Sequence, residues 1–351
     1  MCILMRMIHT RSSCNQRQSC PSLDDHRVIC HIISHHKLRK TKGDNFEAQN
    51  PSSEYKVTLT ATMISNTMDT LRQYVAESSD LKALLTLSAV ALAVVFPLGL
   101  VWNPYLFSVG YAAAVAATTF TLIHSFDVPM TLRGNPKPQE ILALIVFLHG
   151  LRLTIFLLYR EWSVKKMRDQ VRSFHNKYPS YMLVVLASVL SLLYASMVSP
   201  LFYALRRPPT DGTNVTIVWT GICLAFAGFV LEAIADEHKS KAKRSHGIVY
   251  GEKRFVGPTT GFYGICRHPN FAGELLFWTG LFMAGLPSFH ASVTSWISAL
   301  TGWVCIVNIM ITSTRNLDQK QEEWYHSQPQ YEEWKKNVKG SLLPRIPFPT
   351  L

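Results

Sequence analysis

Up to residue 79 the chain mixes Arg, His, Ser and Asn with few apolar runs, and predicts no helix longer than a few turns. From Leu81 the texture changes. LKALLTLSAVALAVVFPLGLVW is an apolar run long enough to cross a bilayer, with Pro97 predicting a kink near its far end. Tyr105 to Ile123 follows, dense in Gly110, Ala112, Ala113, Ala114, Ala116 and Ala117, small residues that favour close helix packing over lipid exposure. A third run, Ile141 to Tyr159, carries His149 and Arg152. Arg in mid-span is costly, so Arg152 must face protein, water or a bound anion. A fourth run begins at Tyr181, a fifth at Thr216, a short sixth at Phe271 and a seventh at Val293. The pattern predicts an all-α, polytopic transmembrane helix bundle of about seven spans, with six to eight compatible.

The polar stretches between these runs set the predicted organisation. Residues 1–79 read as a disordered or processed extension, with Met63 or Met68 as alternative starts; 80–314 as the helical membrane domain; 315–351 as an interfacial tail with an extended Pro-rich end. The connector HSFDVPMTLRGNPKPQE is rich in turn formers, and its Asp127 faces either a site or water. Arg160–Lys177 and Asp236–Arg267 carry a clear Lys/Arg excess, which predicts both loops, the tail and any site beside them on the cytosolic side. Trp324, Tyr325, Tyr331 and Trp334 suit a tail folded against the headgroup surface.

Composition strengthens the membrane reading. Hydrophobic residues make up 48% of the chain and charged residues only 17%, against about 25% charged in soluble domains. The net charge of +12 is a topology or anionic-surface signal rather than a nucleic-acid footprint, because no finger, RNP-like pattern or helix-turn-helix accompanies it. Cys2, Cys14, Cys20 and Cys30 lie near His26, His31, His35 and His36, but their spacing matches no common zinc pattern, so no metal site is predicted.

The richest chemistry lies in GFYGICRHPNFAGE, Gly261 to Glu274, which leads directly into the sixth run. Pro269 suits the first turn of a helix, where its missing N–H has no partner to lose. That helix carries Asn270 and Glu274 on one face, one turn apart. Gly273 permits close backbone approach. Arg267 and His268 fall at the helix mouth, where a phosphate or carboxylate finds charge and free N–H groups, or where they act only as interfacial anchors. Glu232 and Asp236 pair likewise near the end of the fifth run, followed by Lys239, Lys241, Lys243 and Arg244. The acids suit ribose hydroxyls or an amide and the bases suit phosphates; mixed charge closing an interfacial helix is the plain alternative.

GICRHPNFAGELLFWTGLF, preceded by LEAIADEHKSKAKR and followed by PQYEEWKKNVKGSLLPRIP, resembles the steroid 5-alpha-reductase family in its broad branch, over roughly Phe120 to Pro349. The resemblance implies a multi-span enzyme, of the endoplasmic reticulum or another organelle membrane, that reduces an activated carbon–carbon double bond of a lipophilic steroid-, sterol- or lipid-like substrate with NADPH. By the same resemblance Asn270 and Glu274 meet the nicotinamide end, Asp236 the adenosine side, four residues after a position that is often Asn in the family but is Glu232 here, and Arg267 and His268 phosphate; Lys243, from the basic run, is a further phosphate candidate. Tyr263 is a candidate polarising donor beside Glu274, and Tyr159 and Glu161 are further candidates. The early Gln-Glu pair of the steroid enzymes is missing, and STRNLDQKQ, with Arg315, replaces their basic His-rich segment. No GxGxxG follows a strand. The isoprenylcysteine carboxyl methyltransferases share an RHPxYxG-type signature, with Phe271 here replacing the Tyr, and imply S-adenosylmethionine instead. A non-enzymatic scaffold retaining the fold is the third reading.

Overall fold

A computed structural model describes residues 51–131, 134–173, 179–249, 251–290 and 292–343. The expectations for the N-terminal Cys and His residues, for the last part of the Arg160–Lys177 stretch and for the Pro-rich end lie outside these residues. Among the described residues the regular structure is helical apart from an isolated bridge. Its long helices are α1 (Pro51–Arg72), α2 (Asp80–Val101), α3 (Val109–Ser125), α4 (Pro138–Ser163), α5 (Lys165–Ser173), α6 (Ser180–Arg206), α7 (Gly212–Ser245), α8 (Pro269–Gly285), α9 (Val293–Tyr325) and α10 (Pro329–Asn337). The chain is an all-α, polytopic membrane protein. Helices α2, α4, α6, α7 and α9 are long and apolar enough to cross a bilayer, and α3 is a shorter apolar helix.

Seven helices, α2, α3, α4, α6, α7, α8 and α9, run alternately between the two ends of the bundle. One end is marked by Asp80 at the start of α2. Its carboxylate accepts from Arg207 at 2.6 Å and from Ser292 and Ser295 beside the start of α9, with Arg206 at 3.2 Å. The other end gathers the close of α4, α7 and α9 with the start of α8 around one cleft. The predicted basic stretches and the tail therefore share an end of the bundle.

Helix lengths explain why that end is elaborate. Helix α8 has 17 residues, or about 25 Å, just short of the roughly 30 Å hydrocarbon core. Helices α7 and α9 have 34 and 33 residues, or about 50 Å each. Both start beside Asp80, so both project past the bilayer at the far end and carry polar side chains into a shared head region.

The contact between α7 and α8 is built on glycine at heptad spacing. Gly221 and Gly228 on α7 face Gly280 and Gly273 on α8 in antiparallel order. A Cβ at Gly228 would lie 2.4 Å from the Phe277 nitrogen, and one at Gly273 would lie 2.5 Å from the Glu232 nitrogen. Such spacing lets backbones touch where no hydrophobic force separates helix from lipid. It also brings Glu232 beside the helix that carries Glu274. Gly150 plays the same part between α4 and α3, where a Cβ would lie 2.7 Å from the Ala116 nitrogen.

Three sequence expectations are corrected here. The stretch before residue 79 contains the 22-residue helix α1, invisible to a search for apolar runs because its apolar residues are interspersed with Thr, Ser and Asn; Arg72 at its end pairs with Asp127, which answers what Asp127 faces. The basic connector after the third run is mostly helix, since α4 continues to Ser163 and α5 follows. The seventh run does not stop near Ile311: α9 carries STRNLDQKQEEWY as continuous helix into the head region.

Candidate functional site

Two adjoining features make up the site, a basic cleft at the head and a buried polar network below it. The cleft has a volume of about 260 Å³. Six cationic side chains line it: Arg160 of α4, Lys166 of α5, Lys239 and Lys243 of α7, Arg254 of the following loop, and Lys320 of α9. Among the described residues Asp236 is the one acidic residue in that lining, and Asn270, Phe271, Gln321, Trp324 and Tyr325 also line it. Trp324 is flanked by the ammonium groups of Lys166 and Lys320, 5.2 and 4.7 Å from its ring. Burial, reinforced by the charge of Lys320, pushes the Lys166 ammonium below its ordinary range. Asn270 Oδ1, Gln321 Oε1 and Arg160 Nε are buried in these walls with no hydrogen-bond partner among the described residues. Buried polar atoms are stabilised by a hydrogen-bond partner, and these three could accept from or donate to a ligand group.

Asp236 connects cleft and network. Arg152 of α4 places Nη1 at 3.4 Å from Asp236 Oδ2 and donates through Nη2 to Glu232 Oε1 at 2.5 Å. The mid-span arginine thus faces protein, paired with the two acids of α7. His149, one turn earlier, has Nδ1 at 3.6 Å from Glu232 Oε2 and stacks on Phe277 of α8 at 3.8 Å. On the α8 side, the Tyr111 hydroxyl donates to Glu274 Oε1 at 2.9 Å and accepts from Trp278 Nε1 at 2.9 Å. A tyrosine hydroxyl is therefore fixed by a carboxylate and an indole in the bundle interior.

Of the predicted site residues, Asp236, Lys243 and Asn270 line the cleft, while Glu232 and Glu274 belong to the network. The remaining three are placed elsewhere. Tyr263 is buried in a cluster with Phe255, Tyr331 and Trp334, and its hydroxyl donates to the Ala235 carbonyl at 3.3 Å. Arg267 donates to both carboxylate oxygens of Asp318, at 3.1 and 2.9 Å, and to the carbonyls of Val338 and Lys339. His268 is fully buried, with Nε2 at 2.7 Å from the same Asp318. Burial holds its imidazole below the ordinary range despite that carboxylate. Its Nε2 is the ring nitrogen that faces the carboxylate. Of the other candidates, Glu161 accepts from Tyr105 at 2.7 Å, and Tyr159 is half-exposed under Arg244.

Tyr111, Arg160, Lys166, Gln321 and Asp318 were not singled out from sequence. Tyr111 had a signal, as a lone hydroxyl-bearing ring in a run of Gly and Ala. The rest become site residues only through tertiary contact.

This arrangement defines a polytopic helical protein with a basic cleft that shares Asp236 with a buried polar network. Residues 107–338 match the family described as "Protein of unknown function (DUF1295)". The match covers more than half of the chain, and the chain belongs to that family, which is associated with steroid-reductase-like membrane proteins. No curated protein and no solved structure matches it.

Proposed function

We propose that the protein is a membrane-embedded oxidoreductase that reduces an activated carbon–carbon double bond of a lipophilic, sterol-, steroid- or lipid-like substrate with NADPH. The observation that carries this reading is the cleft itself: six cations and three unpartnered buried polar atoms among the described residues, with the wall residue Asn270 one turn before Glu274, to which Tyr111 donates. Such walls fit a ligand bearing several phosphate charges together with amide and hydroxyl donors. They do not fit S-adenosylmethionine, whose sulfonium is cationic and which has no phosphate, so the methyltransferase reading loses ground.

When bound, NADPH supplies the hydride. The lysines and arginines of the cleft neutralise its phosphates, a task better suited to them than to Arg267 and His268, which Asp318 already occupies. Asn270 and Gln321 offer acceptors for amide or hydroxyl protons, and Asp236 does so at the inner end. Tyr111 is the better candidate than Tyr263 for polarising the conjugated carbonyl and supplying the proton: Trp278 fixes its oxygen, its O–H would turn from Glu274 to the substrate, and Glu274 in its acid form would return a proton to the phenolate. Glu274 then acts through Tyr111, and Arg152 offsets the charge of Glu232 and Asp236 so that the acids are tolerated inside the bundle. Endoplasmic-reticulum residence and a cytosol-facing head accompany this reading.

The test is isotope transfer. Detergent-purified protein is incubated with NADPH deuterated at the reactive carbon and a panel of lipophilic enones and enoyl thioesters. Deuterium in a saturated product, lost in Tyr111→Phe at matched folded yield, supports the assignment. Protein that turns over with Tyr111→Phe at the wild-type rate overturns the role given to Tyr111.

A further inference from the structure

The arginine–histidine pair of the signature raises its own question. It adjoins the cleft, yet its polar groups point to the tail. Arg267 uses all three guanidinium nitrogens: Nε and Nη2 hold Asp318, Nη1 holds the carbonyls of Val338 and Lys339, and Nη2 also reaches Ser341 Oγ. Ser341 Oγ donates in turn to Asp318. The backbone repeats the pattern, with Arg267 N–H donating to the Gly340 carbonyl and His268 N–H to the Ser341 carbonyl, both at 2.9 Å. One carboxylate on α9 thus collects Arg267, His268 and Ser341.

The elements joined there are walls of the cleft. Asp318 lies on α9 between the lining residues Leu317 and Lys320, and one turn before Gln321. His268 stacks on Phe271, which lines the cleft beside Asn270 at the start of α8. The tail returns to a third wall: Gln328 accepts from the Phe255 N–H at 2.8 Å and donates to the Lys253 carbonyl, while Trp334 Nε1 donates to the Tyr263 carbonyl at 2.8 Å. Phe255, itself a lining residue, packs on Tyr331 and Trp334. The tail is a strap running from the loop wall, through α10, to the junction of α8 and α9.

We infer that Asp318 is a positioning residue: with Arg267, His268 and Ser341 it forms a latch that holds the α8 and α9 walls of the basic cleft together and fastens the tail across them, so that it governs how long a bound polyanion is retained. The physical reason is connectivity. Charge-assisted bonds to a half-buried carboxylate are about twice as strong as neutral ones, and these span elements that no covalent constraint holds in register. Without them the junction keeps only neutral backbone bonds and the Arg267 bonds to carbonyls, and the strap its Gln328 and aromatic contacts.

The inference rests on the cofactor reading, and the experiment separates the two. Full-length Asp318→Asn, which preserves shape but removes the charge, is compared with wild type and with Ser341→Ala in detergent, at matched folded yield and thermal midpoint. Hydrogen exchange is followed for residues 326–343 without ligand. NADPH release is followed by nicotinamide fluorescence in stopped flow. The latch predicts faster exchange in the tail and release about tenfold faster in Asp318→Asn, with a smaller effect in Ser341→Ala, since lost contacts act mainly on dissociation. Unchanged tail exchange in Asp318→Asn overturns the latch. Faster exchange with unchanged release overturns its role in retention. Wild-type protein that does not bind NADPH refutes the cofactor reading, and tail exchange then decides the latch alone.

Discussion

Replacing Gly273 by Ala puts the α7–α8 contact to the strictest test, because it adds a single methyl group where the two helices touch. The new Cβ would stand 2.5 Å from the Glu232 nitrogen and 2.8 Å from the Gly228 carbonyl oxygen. Ordinary contact begins near 3.4 Å, so the helices must separate locally by about 0.9 Å, and both obstructing atoms are backbone and cannot rotate away. A gap of 0.5–1 Å forfeits roughly a quarter to a half of the dispersion well for the atoms along it, and overpacking a tight interior typically costs about 1–3 kcal/mol. Against this stands the intrinsic gain of Ala over Gly in a helix, about 0.8–1 kcal/mol. The net expectation is destabilisation of up to about 2 kcal/mol. Gly212→Ala is the control, since a Cβ there meets nothing within 4 Å; it retains its propensity gain undiminished. The assay is reversible unfolding in mixed micelles with increasing SDS, read by tryptophan fluorescence. Gly273→Ala should lose stability while Gly212→Ala keeps or gains it. Equal stability of the two variants would refute the argument that backbone contact between α7 and α8 is what the glycines serve.

Other outcomes follow from the same geometry. Arg152→Gln leaves Glu232, which is 2% exposed, without its strong partner, and should cost about 3–5 kcal/mol; Arg152→Met combined with Glu232→Met should recover much of the thermal midpoint, and no recovery would argue that the pair does more than balance charge. NADPH affinity should fall steeply between low and high salt, because several cleft cations contribute and exposed parts are screened within about 10 Å at 0.1 M; a salt-independent constant would contradict phosphate binding there. Burial holds the Lys166 ammonium below its usual range, and a polyanion beside it favours the charged form. Binding should therefore take up protons and weaken as pH rises through the Lys166 transition, which calorimetry in buffers of differing ionisation enthalpy can read; proton release would contradict the assignment. Cysteine labels in residues 165–172 and 239–249 should react from the same side of sealed vesicles, and reaction from opposite sides would overturn the shared head.

What could be read from the sequence divides along a physical line. Runs of apolar residues report burial in hydrocarbon directly, so the polytopic bundle and the start of α8 at Pro269 were legible. So was Arg152, since a guanidinium inside a span must find a partner, although nothing in the sequence said that the partners would be Glu232 and Asp236. Helix outside the bilayer was not legible by that criterion. The far part of α9 is amphipathic, presenting Leu317, Gln321 and Trp324 to the cleft at helical spacing, and its polar composition resembled a loose tail. The long-range partners were least accessible. Arg267 and His268 have the composition of an anion site at a helix mouth, and only the return of Asp318, 51 positions away from Arg267, turns them toward the tail. Tyr111 and Tyr263 reverse for a similar reason: both are buried tyrosines, but one hydroxyl meets a carboxylate and the other a backbone carbonyl.

The central claim is that the basic cleft receives the phosphates of a reduced dinucleotide. Calorimetric titration of the full-length protein in detergent, with NADPH and with S-adenosylmethionine in parallel, addresses it most directly. The account predicts saturable NADPH binding that weakens in Lys243→Ala and Lys320→Ala, with no saturable heat from S-adenosylmethionine. Saturable binding of S-adenosylmethionine alone would contradict it.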